Sequence, residues 1–588
     1  MSEHVTDSSF ADDADSDGEI LLPLPPERIQ ELYEIMVVLR EKRPHFIQSY
    51  LANASKTVEE YASMLLDGAT VPSDRLQRAI VEALRRHDPA IDEESILVEL
   101  QKGVLFDSSG HCGLIGDSQS LHSLLLLALG ARHRGDSCIY ALAGGGVPLN
   151  NITLPGGYYW DGNRVNLFPT KINGESSGAM TASTVQACTR QNVLRLPEKY
   201  KGELDANGFP TDLGVLSAER RPFASFVQRE AARPESPLQY VFTTPELRFC
   251  DQVARFNEVL WHGLGETPNG LPDLAYMLIE DVTCAVLDEL IVNESASTQE
   301  SRDPLYRLLF DADLRNRVVD AFNVPDPGAP VVQGAWRHDE NRAVSYGTHL
   351  FWLLEGTPYT DNVTGRMSVK NARMSSLSLT ESGTLFNAAG TFSMEMSPQN
   401  VRELLNGMIR EDGKAVKLAP GTFLNIVITT LEGGSILGGM NQSEYASTYQ
   451  RILAPILSEH VPCKAVETFK QLPLSNFCFG LFFTNIEGKA GAFEHLLLRP
   501  DVLVESVNQH ATTMTVAEAG VLAVNDCVSI VVPKSEFPEK LAGKLIEVAL
   551  PDGNTTYKLA PRFSFESLYR EMRTAEAEQR VASSELRI

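Results

Sequence analysis

One stretch concentrates reactive side chains among glycines: Asp107-Ser108-Ser109-Gly110-His111-Cys112-Gly113-Leu114-Ile115-Gly116-Asp117-Ser118. His111 is the residue type best suited to acid–base work near neutral pH. Cys112, if held at a helix N-terminus, would have the lowered thiol pKa of a nucleophile. The two are adjacent, so their side chains diverge and an activating partner must come from elsewhere. His122, inside the helix expected to follow, could face back toward the turn. The glycines free backbone amides to point outward at a helix start carrying about half a positive charge, which suits a carboxylate or phosphate. Ser109, Gly110, Gly113 and Ser118 are the binding candidates in this turn. The pattern is neither GxGxxG nor GxxxxGK[ST], and no lysine is present, so it carries no dinucleotide or P-loop signature.

Two further segments have the same character. Residues 143–151 read AGGGVPLNN, with Gly145, Asn150 and Asn151 as binding candidates and Arg164 and Lys171 as the nearest downstream cations for an anionic group. Residues 432–445 read EGGSILGGMNQSEY, with Gly438, Gly439, Asn441 and Gln442 as candidates. So many glycines in one turn cost conformational entropy unless the backbone must bend sharply or approach something closely. Each segment also has a plainer reading as a turn, closed by Asx hydrogen bonds where asparagines stand.

Other chemistries leave weaker marks. His111, Asp117 and His122, together with His338, Asp339, Glu340 and His349, supply metal-ligating types without any recognised ligand spacing. No GxSxG elbow, kinase set or β-lactamase set occurs. Paired carboxylates need only meet in space, so that chemistry stays open.

The elements that must position these residues follow from apolar patterning. The run 96–106, a helix over 118–133 and a strand over 137–143 make a βαβ unit of a parallel sheet. The first two glycine segments then fall at strand carboxyl ends, where open α/β sheets bind ligands. Residues 26–95 form a helical lead-in of three helices, with apolar residues three and four apart. Residues 144–190 are an elaborated loop with short strands, followed by helices at 247–264, 272–292 and 304–322. The prolines of VPDPGAP mark a linker at 324–330. Beyond it strands are expected near 343–354, 376–379, 423–430, 477–483, 520–532 and 545–550, and helices at 398–409, 443–457 and 563–581. The fold class is therefore α/β: a disordered acidic tail (1–25), the lead-in (26–95), a Rossmann-like parallel-sheet domain (96–323), the linker, and a mixed α/β domain (331–588).

Charge and composition bound the partners. The 588 residues include 51 basic and 77 acidic side chains, a formal charge of −26. That excess repels polyphosphate and anionic membrane, and no basic stripe stands against it, so neither nucleic acid nor membrane is an expected partner. The tail is acidic rather than signal-like, and the longest apolar block, Leu124 to Leu129, falls far short of the roughly 20 residues needed to cross a bilayer. A cytoplasmic location follows as the expectation. The eight cysteines are dispersed with no CxxC pair, so a disulfide framework and a cysteine-rich zinc site are not expected, and most cysteines read as small buried hydrophobes.

Together these features predict an enzyme of transferase or ligase type acting on a small polar metabolite that bears a carboxylate or phosphate. Its active site would lie between the two halves, walled by the turns at 108–118, 144–151 and 432–442, with His111 as acid–base residue and no cofactor specified. A histidine–carboxylate metalloenzyme and a non-enzymatic binding or scaffold protein are the competing readings.

Overall fold

The computed structural model describes residues 44–559 apart from 116–117, 150–154, 161–162, 173, 197–199, 207, 234–235, 237, 239–246, 268–269, 296–302, 324–335, 339–345, 362–363, 477–491, 517–518, 520–544 and 550–554. The acidic tail, the linker, the strands expected at 477–483 and 520–532 and the helix expected at 563–581 lie outside the described residues.

The described lead-in is helical: α1 (Pro44–Asn53), α2 (Val58–Asp67), α3 (Asp74–Arg85) and α4 (Glu93–Leu100). Thr57 and Glu60 form a capping box at the start of α2, and the Ser73 hydroxyl accepts the Leu76 N–H at 3.1 Å to start α3. The spacing of Leu76, Ile80 and Leu84 puts all three on the buried face of α3.

The chain then forms β1 (Leu105–Asp107), α5 (Ser118–Arg134) and β2 (Cys138–Ala143), the strand–turn–helix–strand order read from the sequence, but of the run expected at 96–106 only the end is strand, because residues 96–100 belong to α4. Two short hairpins follow, β3 (Gly157–Trp160) with β4 (Asn163–Asn166) and β5 (Lys171–Ile172) with β6 (Glu175–Ser176). Next come α6 (Arg190–Leu194), α7 (Arg221–Ala231) and α8 (Phe249–Gly265).

The single helix expected at 272–292 is instead a strand, β7 (Asp273–Leu278), running straight into α9 (Ile279–Ser295). Leu274, Tyr276 and Leu278 enter one core while Ala275 and Met277 enter the other, the two-residue period of a strand. Because both faces are buried, the apolar run is continuous and its alternation is invisible in the sequence. The helix expected at 304–322 is likewise two, α10 (Pro304–Phe310) and α11 (Ala312–Asn323). Between them the Asp311 carboxylate accepts the N–H groups of Asp313 at 3.0 Å and Leu314 at 3.2 Å, restarting the helix.

The second half contributes β8 (Trp336–His338), β9 (Tyr346–Thr360), β10 (Met367–Leu379), β11 (Thr384–Asn387), β12 (Ser393–Glu395), α12 (Pro398–Leu405), β13 (Met408–Ile409) and β14 (Ala415–Pro420). Its strands form a seven-stranded antiparallel sheet in the order β12-β11-β10-β9-β14-β13, with β8 also on β9. The strand expected at 423–430 is a helix, α13 (Thr422–Leu431). Its β-branched run from Ile426 to Thr430 favours a strand locally, but every residue from Phe423 to Leu431 is buried, and tertiary packing overrides the propensity. The two threonine hydroxyls are satisfied within the helix, Thr429 donating to the Asn425 carbonyl at 2.8 Å and Thr430 to the Ile426 carbonyl at 2.7 Å. After it come β15 (Ser435–Leu437), α14 (Met440–His460), α15 (Lys464–Gln471), α16 (Ala492–Leu498), α17 (Pro500–Thr513) and the hairpin of β16 (Leu545–Ala549) and β17 (Thr555–Leu559).

The molecule is thus mixed α/β, with a four-stranded parallel sheet in the order β15-β1-β2-β7 separate from the antiparallel sheet. Strand β15 comes from beyond the linker, so both sequence halves build the parallel sheet. Residues alternate across it into two cores. Leu105, Ile139 and Leu274 pack with α2, α5 and α8 on one face. Phe106, Tyr140 and Met277 pack with α3, α9 and α13 on the other, and the antiparallel sheet adds Phe351, Leu353 and Leu418 to that second core. Parallel strands in register, with Asp107 opposite both Ala141 and Leu437 and Ala143 opposite Leu278, bring all four carboxyl ends to one edge. Among the described residues no helix is long and apolar enough to cross a membrane.

Candidate functional site

At that edge the glycine turns are laced together by backbone hydrogen bonds. Gly144 N–H donates to the Gly110 carbonyl at 3.0 Å and Cys112 N–H to the Gly144 carbonyl at 2.8 Å, joining the turn after β1 to the turn after β2. On the other flank Ser108 N–H donates to the Leu437 carbonyl at 2.9 Å, and the Gln442 side-chain amide donates to the Ser108 hydroxyl. Gln442 can fold back this way because Gly438 lacks a side chain: a Cβ there would stand 2.5 Å from the Gln442 Cβ and Cγ. All three glycine-rich segments therefore meet, and Gly110, Gly144, Gly146 and Gln442 line one cavity of about 110 Å³.

The remaining walls come from helix starts and from the antiparallel sheet. Glu280 opens α9, Thr422 and Asn425 open α13, and Tyr445 lies in the first turns of α14, while Trp352 and Pro420 close the cavity from β9 and β14. Asn425 is held by the Thr283 hydroxyl, which donates to its Oδ1 at 2.7 Å.

Three titratable groups line this space, His111, Glu280 and Tyr445, and burial pushes the Tyr445 phenol up, so it stays neutral. Burial pushes the His111 imidazole down to about 4, so it is neutral near pH 7. Glu280 accepts the Gly145 N–H at 2.9 Å on Oε2 and the Gly146 N–H at 2.8 Å on Oε1. Hydrogen bonds to a carboxylate lower its pKa, yet burial outweighs them and raises Glu280 to about 7. The outward amides expected to receive a substrate anion are thus occupied by the protein's own acid.

The other expected residues are placed as follows. Ser109 is used in the turn, its N–H donating to the Asp107 carboxylate at 3.0 Å and its hydroxyl to Ser123 at 2.8 Å. Gly113 packs away from the cavity, its carbonyl accepting from Asn257 at 2.9 Å. A nucleophilic Cys112 is corrected: its sulfur is buried and bonded to Cys250, with Cα atoms 6.1 Å apart, a single bond among the described residues beside the free Cys138, Cys188, Cys284 and Cys463. His122 is buried inside α5, held down to about 3 by desolvation, and does not line the cavity. Lys171 is exposed on β5 and is not among the lining residues, which include no lysine or arginine among the described residues. Gly439 caps α14 behind Gln442. Asn150 and Asn151 lie outside the described residues, and Ser118, Arg164 and Asn441 are described as backbone only, at the start of α5, in β4 and in α14.

Glu280 is the residue sequence reasoning missed. With 272–292 taken as one helix, it fell in mid-helix; a strand–helix boundary at Leu278–Ile279 puts it at a strand's carboxyl end. Among the described residues no group of three His, Cys, Asp or Glu side chains could hold a metal ion. No protein-family model, curated protein or solved structure matches the chain.

Proposed function

We propose that the chain is an enzyme that moves a proton on a small polar molecule bound at the carboxyl edge of the parallel sheet, with Glu280 as the acid–base group. The observation that carries this is Glu280 itself, raised to about 7 at the wall of a cavity, because acid–base catalysis is most effective when the pKa lies near the working pH. Neutral His111 serves as hydrogen-bonding partner to the substrate, with the Ser108 hydroxyl and the Asn425 and Gln442 amides as polar contacts. The sheet order supports the placement. Reading β7, β2, β1, β15 gives the order of the third, second, first and fourth strands of a Rossmann-like sheet, in which ligands sit where the order reverses, here between β1 and β15. Ser108 and Gln442 follow those two strands.

Among the described residues the lining holds no lysine or arginine, which favours an uncharged hydroxyl, carbonyl or amide over the carboxylate or phosphate expected from the sequence. Transfer or ligation remains the proposed reaction class, narrowed to a step in which Glu280 accepts or returns a proton.

Incubation with pooled hydroxy, keto and amino compounds in deuterium oxide, followed by mass spectrometry, tests the reading. Turnover or deuterium incorporation is expected in at least one pool, falling by about 100-fold or more in Glu280→Gln. No turnover in any pool, or equal rates for both proteins, would overturn it.

A further inference from the structure

At the opposite edge of the parallel sheet, where β2 and β7 begin, lies a larger cavity of about 550 Å³. That volume falls in the range of roughly 300–1,000 Å³ typical of small-molecule sites. Much of its lining is apolar: Leu84, Ile91 and Ile96 from the lead-in, Val259 on α8, and Leu274 and Ala275 on β7.

The polar part is ordered and acid-rich. Along one wall His87 Nε2 lies 2.9 Å from Glu258 Oε1, Arg255 Nη1 lies 3.1 Å from Glu258 Oε2, and Arg255 Nη2 lies 3.1 Å from Asp88 Oδ1. Arg233 pairs with Glu230 at 3.1 Å on another part of the wall. At the rim Asp273 and Glu266 approach His262 at 3.4 and 3.5 Å, and their side chains remain 69% and 60% exposed. Among the described residues the lining therefore holds five carboxylates against two guanidinium groups. An anion entering this space meets a net negative field, whereas a cation is attracted by it.

We propose that this cavity binds a small organic cation, an aliphatic or aromatic amine whose apolar body lies on the Leu84, Val259 and Leu274 floor and whose ammonium group meets the Glu266 and Asp273 carboxylates at the rim. Neither Glu280 nor His111 lines it, so this assignment is independent of the acid–base site.

Calorimetric titration of the full chain with octylammonium, octanol and octanoate, each below its micelle-forming concentration, separates the apolar body from the charge. Saturable octylammonium binding is expected, at least tenfold tighter than octanol and a hundredfold tighter than octanoate. Val259→Trp, which fills the floor, should weaken octylammonium at least tenfold. The exposed double change Glu266→Lys with Asp273→Lys, which does not touch the core, should weaken octylammonium tenfold and strengthen octanoate. Glu280→Gln should bind octylammonium as the wild type does. Absence of octylammonium binding, octanoate binding as tight as octylammonium, or a rim double variant of unchanged affinity would each overturn the proposal.

Discussion

The Glu280 carboxylate lies 2.9 Å from the backbone nitrogen of Gly145, so the glycine turn after β2 binds the first carboxylate of α9 rather than standing open. The pairing makes one protein group both the occupant of an anion-binding turn and a buried acid at a cavity wall. It also ties two strand ends together across the sheet.

Stability near neutral pH should carry the signature of this acid. An ordinary glutamate titrates near 4.5, while folded Glu280 titrates at about 7. Between those values the folded state holds a proton that the unfolded chain has released, so this group's contribution to stability falls as pH rises from about 4.5 to 7 and is level above that. The span corresponds to about 3 kcal/mol. Glu280→Gln, neutral throughout, should therefore gain on the wild type by about that amount between pH 5 and pH 8 in urea denaturation. Parallel curves for the two proteins would show that the carboxyl is not held as described.

The Cys112–Cys250 bond anchors the turn carrying His111 to the start of α8 across 138 residues of chain. Removing it with Cys250→Ala should destabilise the protein by about 2–4 kcal/mol. Non-reducing peptide mapping of protein taken from its native compartment should recover the two peptides linked. Because disulfides persist in oxidising compartments, the linked peptides count against the cytoplasmic expectation, whereas alkylation of both cysteines without reductant would mean the bond is not formed there.

What the sequence made legible was local. The β1, α5 and β2 succession is readable because a turn rich in glycine separates a short apolar run from a helical pattern, which puts the first two glycine segments at strand ends; the third is read as following a strand at 423–430 that is the helix α13, and its own strand, β15, lies inside the segment. The two misassigned elements share one cause. Burial on every side removes the polar face that distinguishes a strand from a helix, so β7 reads as part of α9 and α13 reads as a strand. Those two errors hid Glu280, Thr422 and Asn425. Lys171 is misplaced for another reason: it is close in sequence to the turn after β2, but its hairpin leaves it exposed outside the cavity lining.

Arg248 should be among the most sensitive charged positions. Its guanidinium meets Asp251 at 2.6 Å and Asp281 at 2.6 Å, and Asp281 immediately follows Glu280. Both aspartates are held below the ordinary carboxylate range, burial opposing and the neighbouring Arg248 and Arg86 favouring the charged form. Arg248→Ala leaves the buried Asp251 and the half-buried Asp281 with the longer contacts of Arg86, whose Nε is 3.5 Å from each, and should cost about 3–5 kcal/mol. Arg248→Lys should lie between, since an ammonium group cannot reproduce the paired contacts. A loss below about 1 kcal/mol in denaturation of Arg248→Ala would mean that the pairs are solvated rather than buried.

His111 should make the fold sensitive to acid in the sense opposite to Glu280. Its folded pKa is about 4 against an ordinary value of 6.5. As pH falls below about 6.5 the unfolded chain takes up a proton that the folded imidazole refuses, so stability drops until pH reaches about 4. The drop amounts to about 3 kcal/mol. His122, held down to about 3, adds a loss of the same sign that continues to lower pH. In the wild type Glu280 offsets part of this, gaining as the histidines lose. His111→Ala should therefore flatten the decline between pH 6.5 and pH 4, and Glu280→Gln should steepen it. The double variant should fall between the two. Urea midpoints of the four proteins across that interval give the comparison directly, and a His111→Ala profile matching the wild type would show that the imidazole titrates as an exposed group.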